Sequence, residues 1–136
     1  GWEWPWLLAA QELEAYRRRS GVGLLAFVAM QWALPVLRMG VDFKAIRVAY
    51  RWHRWAGALS PVLFYAHASW LGVGYLAALA SVYLAGVGVG VLDKTILPNL
   101  ALRDRYVRPW MVVHVALACL MVGLTLFHVF VVFAYS

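Results

Sequence analysis

The four histidines of the chain fall into two pairs with one spacing: His53 and His67, then His114 and His128, each pair 14 residues apart. On a helix that separation advances about 21 Å and returns to within roughly 40° of the starting face. Each helix would carry two imidazoles on one side, most of a membrane's thickness apart. Two such helices side by side make two bis-imidazole sites, one above the other. Within a pair the rings are too distant to share an ion, and zinc prefers compact tetrahedral sets of thiolates, carboxylates or clustered imidazoles. Haem needs only two protein ligands, because the porphyrin supplies four nitrogens and two imidazoles complete the axial positions. No C-x-x-C-H segment occurs, so non-covalent haem b is expected rather than covalent attachment. With both axial positions closed, such an iron passes electrons without binding substrate.

Histidine inside an apolar span is costly and usually functional. Two other uses of these residues stay open. They could be hydrogen-bonded packing positions in a haem-free structural subunit, or a relay for protons or metal ions.

The elements that must hold these residues are apolar. Of 136 residues, 65% are hydrophobic, and only 12 basic and 6 acidic residues are present. Soluble domains are roughly 45–50% apolar, so an integral membrane protein of about one domain is expected. The net charge is +6, but the basic residues cluster between apolar runs. That pattern points to membrane topology rather than nucleic-acid binding. Cys119 is the only cysteine; it allows no intrachain disulfide and reads as a small buried residue.

Along the chain, Trp2, Glu3, Trp4, Pro5 and Trp6 come before the first apolar stretch with no basic residue among them, a poor fit to a signal peptide. Residues 5–19 read as a short interfacial amphipathic helix, with Pro5 in its first turn and tryptophans suited to the headgroup layer. Four spans are expected after it, at about 20–38, 44–71, 74–92 and 109–135, forming an all-α membrane four-helix bundle over 20–136. Gln31 is the polar interior residue of the first span, and Pro35 kinks or closes it. Pro61 predicts a kink in the second span, where neighbouring helices would satisfy the freed carbonyl. From Trp55 to Leu92 no Asp, Glu, Lys or Arg occurs, a run of 38 residues. As one helix that run would be about 57 Å long, nearly twice a hydrocarbon core. It must therefore fold back, with Gly72-Val73-Gly74 as the turn. A polar connector with Asp93, Lys94, Pro98, Asn99, Arg103, Asp104, Arg105 and Arg108 precedes the last span, which Pro109 would open. Gly86, Gly88 and Gly90 lie inside a span with no strand before them, so they suit helix packing rather than a phosphate loop.

The basic connectors at 38–54 and 93–108 fall on one side and should be cytoplasmic, with both termini outside. Arg17, Arg18 and Arg19 run against that rule. If the third span crosses fully, His53 faces His114 near the inner side and His67 faces His128 near the outer side. A re-entrant third span would cross the pairing.

His53-Arg54-Trp55-Ala56-Gly57 followed by His67 resembles the His-Arg-x-x-Gly…His helix of ferric-reductase-like transmembrane domains. Arg108-Pro109-Trp110…His114…His128 is similar to their second haem helix. The resemblance covers about residues 44–135. It implies that the four histidines ligate two haems b that carry electrons across the membrane. The chain has four expected spans where that family has six, and no flavin or nicotinamide domain, so partners are expected to supply and accept the electrons. Paired histidines of this kind also occur in the cytochrome b of quinol-oxidising complexes, so the spacing alone does not choose between them.

The surrounding residues fit the same chemistry. Gly57, one turn after His53, would let a porphyrin approach the backbone, or serve helix packing. Haem propionates favour arginine partners. Arg51, Arg54, Arg105 and Arg108 are placed for the inner haem, although each also has a topological role. Arg17–Arg19 are the basic candidates for the outer haem. The expectation is thus an electron-transfer subunit of a larger redox complex, rather than a complete enzyme. It would lie in the bacterial inner membrane, surrounded by lipid, with quinol as a candidate donor.

Overall fold

The computed structural model describes residues 4–40, 42–92 and 99–135. Trp2, Glu3, Asp93, Lys94 and Pro98 lie outside the described residues. Everything regular among the described residues is helical. The chain divides into two compact units, Gly1–Trp70 and Leu71–Ser136.

The first unit holds α1 (Pro5–Glu12), α2 (Glu14–Gln31), α3 (Ala33–Leu37) and α4 (Phe43–His67). Pro5 opens α1, as expected of a residue whose missing N–H costs nothing in a first turn. The expected helix over 5–19 is broken at Leu13, where the backbone is extended (φ −75°, ψ 121°). Arg17–Arg19 therefore belong to α2, and the expected boundary at 19/20 falls inside that helix. An i,i+4 ion pair, Arg18 to Glu14 at 2.7 Å, supports the early start. The segment before Leu13 is docked rather than loose. Leu7 is buried, and Gln11 Nε2 donates to the carbonyls of Tyr65 and Ala66 at 2.7 and 3.1 Å. Tyr16 donates to Ala66 O as well, at 2.9 Å. These are last-turn carbonyls of α4, which have no helical partner of their own. Their capping, and the extended backbone at Ala68 (φ −144°, ψ 118°), end α4 at His67 rather than near Leu71.

Asp42 caps α4, accepting from the amides of Lys44 and Ala45. The helix runs on through Pro61. Proline at 61 removes the N–H that would bond the Gly57 carbonyl. Ser60, which is buried, donates its hydroxyl to that oxygen at 2.7 Å. The freed carbonyl is thus satisfied from within the helix, not by a neighbouring one.

The second unit is a pair of packed helices, α5 (Tyr75–Val91) and α6 (Leu100–Ala134). Ahead of α5, Gly72 and Gly74 have positive φ (75° and 60°). A Cβ on Gly72 would meet that of Leu76 at 2.5 Å, so only glycine fits there. α6 starts well before the expected position near Pro109. Asn99 caps it, accepting from the amides of Ala101 and Leu102, and Pro109 sits inside the helix. Trp110 Nε1 donates to Val89 O at 2.7 Å, and Tyr106 OH donates to Leu92 O. Two aromatic donors thus cap the carbonyl end of α5. Cys119 is exposed on α6, not buried as expected, because no described residue of that helix is buried.

Two segments are long and apolar enough to cross a membrane, Glu14–Leu37 (24 residues) and Leu100–Ala134 (35 residues); α5 is apolar but shorter, at 17 residues. Few described side chains are buried: Leu7, Val28, Leu34, Ser60, Ala80 and Tyr83. Large apolar side chains such as Trp52, Leu59, Val112 and Phe130 are exposed instead, as suits helices whose solvent is lipid.

The Ser60 contact generates a test. Ser60→Ala leaves the Gly57 carbonyl unpaired and should cost about 1–3 kcal/mol in mixed-micelle unfolding. In a Pro61→Ala background the backbone N–H returns, so the same change should cost measurably less. Equal losses in both backgrounds would show that the hydroxyl does not serve this carbonyl.

Candidate functional site

All four histidines are half-buried, His53 and His67 on α4 and His114 and His128 on α6. In the first unit each imidazole meets the α2–α3 segment. His53 Nδ1 lies 3.2 Å from the carbonyl oxygen of Gln31. A carbonyl only accepts, so Nδ1 carries the proton in this bond. Gln31 is the last residue of α2, and its carbonyl is the one that a residue at 35 would bond had it an N–H. Pro35 has none.

His67 Nδ1 lies 3.0 Å from Ser20 Oγ. The Ser20 oxygen also lies 3.2 Å from Arg17 O; with the hydroxyl proton on that carbonyl, the oxygen accepts from the ring and Nδ1 carries the proton. The Gln31 contact thus calls for the Nδ1–H tautomer at His53, and the Ser20 contact is compatible with it at His67. Gly21 lies beside His67: a Cβ there would stand 3.2 Å from its Cε1. The ring edge fits because that side chain is missing.

The second unit repeats the construction with other residues. A Cβ on Gly90 would stand 3.1 Å from His114 Cε1. Gly90, expected with Gly86 to serve helix packing, lies against this imidazole, whereas a Cβ on Gly86 would meet nothing within 4 Å. Trp110 stacks on His114, with centroids 5.5 Å apart and planes 4° from parallel. Because its Nε1–H is tied to Val89 O, Trp110 sets the plane in which His114 lies. His128 Nδ1 is 3.5 Å from Tyr75 OH, a long contact. Tyr75 is itself packed edge-on against Phe127 at 5.2 Å.

Of the other expected site residues, Arg51, Arg54, Arg105 and Arg108 are exposed on α4 and α6, in the same stretches as His53 and His114. Gly57 faces open space, since a Cβ there would meet nothing within 4 Å. It is not a packing glycine among the described residues. Arg17–Arg19 immediately precede Ser20 on α2, which puts them at the His67 end of the first unit. Ser20, Gly21, the Gln31 carbonyl and Tyr75 were not foreseen from the sequence. Trp110 was legible in principle, since it stands four residues before His114 on the same helical face. Among the described residues no group of three or more His, Cys, Asp or Glu is placed to hold a metal ion, so each unit presents separate imidazoles.

Comparison with protein-family models, with curated proteins and with solved structures found no match to this chain.

The glycine contacts can be tested without a ligand. Gly23→Ala, with nothing within 4 Å, should stabilise by about 0.5–1 kcal/mol through helix propensity. Gly21→Ala and Gly90→Ala gain the same term but press on an imidazole, an overpacking cost of about 1–3 kcal/mol. Both should come out neutral or destabilising in micelle unfolding. Three equal stabilisations would show that the rings do not need the space.

Proposed function

We propose that this chain is a dihaem b-type cytochrome domain that carries electrons across a membrane, between a donor and an acceptor on partner subunits or quinol. The observation that carries the reading is that Nδ1 of both His53 and His67 is engaged by an oxygen of α2, Gln31 O and Ser20 Oγ, an arrangement that suits Nδ1–H rings. An iron-ligating imidazole offers one ring nitrogen to the metal and donates the other N–H to a carbonyl, carboxylate or water. Two rings in that state, 14 residues apart on one helix, suit two haems stacked through the membrane.

Haem b held by two imidazoles supplies a one-electron couple with no open iron position. The chain's own groups then have definable tasks. Ser20 and the Gln31 carbonyl orient two rings, and Trp110 fixes the plane of a third. Open space at Gly57 leaves room beside α4 for a flat group. Arg17–Arg19, at the His67 end, and Arg51 and Arg54, flanking His53, are positioned to neutralise propionates; Arg105 and Arg108 would do so near His114.

The two segments of spanning length, with the apolar part of α4 and α5, make four spans, and α1 lies at the interface. The basic connectors place residues 38–54 and 99–108 on the cytoplasmic side of a bacterial inner membrane. A larger redox complex supplies the donor and acceptor.

The same hydrogen bonds favour a second reading, a haem-free structural subunit in which the imidazoles are packing residues. A reduced-minus-oxidised spectrum separates the two. The haem reading expects a b-type band and about two haems per chain, with each single His→Ala removing one. A properly assembled preparation without haem would sink it. Replacing Arg17–Arg19 together by glutamine removes positive charge near the His67 end and should lower the potential of the haem that His67 binds. An unchanged potential and haem content would dismiss the propionate role.

A further inference from the structure

The α2–α3 segment contributes no ligand, yet it holds both imidazoles of α4. We propose that Ser20 and Pro35 are positioning residues that set the tautomer of His67 and of His53. This deepens the dihaem reading and rests on it for its effect on haem, though not for the tautomers themselves.

The two residues act by different chemistry. Ser20 is a relay. Its oxygen lies 3.2 Å from Arg17 O, one turn back in α2, an acceptor able to take the hydroxyl proton. That leaves the oxygen to accept from His67 Nδ1 at 3.0 Å. A hydroxyl that is already donating is a better acceptor than a lone one, because the two bonds polarise each other. Pro35 acts by omission. In an uninterrupted helix the N–H of residue 35 would take the Gln31 carbonyl. Proline cannot donate, so this oxygen stays available in an apolar stretch, where an unpaired carbonyl is costly. His53 Nδ1–H, 3.2 Å away, takes it. The proline near the end of the first spanning segment is thus a device for making an acceptor, as well as a break in α2–α3.

Helix geometry ties the two contacts together. Ser20 and Gln31 are 11 residues apart on α2, about 16 Å; His67 and His53 are 14 apart on α4, about 21 Å. The serine hydroxyl and the carbonyl exposed by Pro35 lie at opposite ends of the packed α2–α4 pair, each beside one imidazole.

Imidazole ¹⁵N spectra of the full-length protein in lipid read the tautomers directly, with or without haem. Wild type should show Nδ1–H at both α4 histidines. Ser20→Ala should shift His67 towards mixed tautomers while leaving His53 unchanged, and Ser20→Thr should restore it. Pro35→Ala returns an N–H to the Gln31 carbonyl and should do the same to His53 alone. In the reduced haem-loaded protein, losing either bond makes the ring a weaker donor to iron. The potential of the affected haem should rise, and haem retention should fall about 10- to 100-fold. Unchanged tautomers in Ser20→Ala and Pro35→Ala would overturn the proposal, as would failure of threonine to rescue. If the spectra change as expected but His67→Ala and His53→Ala retain full haem, the dihaem reading fails and the tautomer assignment stands.

Discussion

A backbone carbonyl without its helical N–H is costly to leave in an apolar medium, and both units are organised around such oxygens. In the first unit they are Gln31 O, freed by Pro35; Gly57 O, freed by Pro61; and Tyr65 O and Ala66 O at the end of α4. Their donors are His53, Ser60, Gln11 and Tyr16. In the second unit the oxygens are Val89 O and Leu92 O, served by Trp110 and Tyr106. With so few buried side chains, these directed bonds rather than a packed core define which residues of neighbouring helices stand opposite each other. In lipid, where apolar contact between helices has no hydrophobic drive, that division of labour is expected.

The site inherits its geometry from the same bonds. Gln11 and Tyr16 hold the α1–α2 segment on the last turn of α4, and this brings Ser20 and Gly21 to His67. Tyr106 and Trp110 hold α6 on the end of α5, and this brings Gly90 to His114. The carbonyl caps therefore set the register, and glycine removes the side chain that would collide with the ring. Moving α2 along α4 by one residue would rotate Ser20 off the ring by about 100°, so the caps and the imidazole contact stand or fall together.

What the sequence made legible was periodic or compositional. The 14-residue histidine spacing, the uncharged run from Trp55 to Leu92 and the glycine connector before Tyr75 all report on a single helix or its end. What it left dark depends on partners distant in sequence. Ser20 is 47 residues from His67, and no pattern local to either marks the pair. The early starts of α2 and α6 were missed for a different reason. Glu14 and Arg18 were read as the end of the interfacial helix 5–19 rather than the start of α2, and Arg103 and Arg105 were read as connector although arginine is a good helix former. Asn99 provides a cap that outweighs their polarity. Pro61 was read as a defect needing help from a neighbour, when the serine before it supplies the donor.

Arg17–Arg19 bring two constraints into conflict. Basic residues favour the cytoplasmic side of a membrane by about 1 kcal/mol each where the surface is anionic. An exposed ion pair with a carboxylate along a helix is worth only about 0.2–0.5 kcal/mol, so such a pair does not by itself offset that preference. Arg18 already has one such partner in Glu14, at 2.7 Å, within the same turn as Arg17 and Arg19. On the proposed topology, three arginines at the His67 end would need a further acidic group to meet them there. A haem placed with its propionates at that end of the unit would supply two.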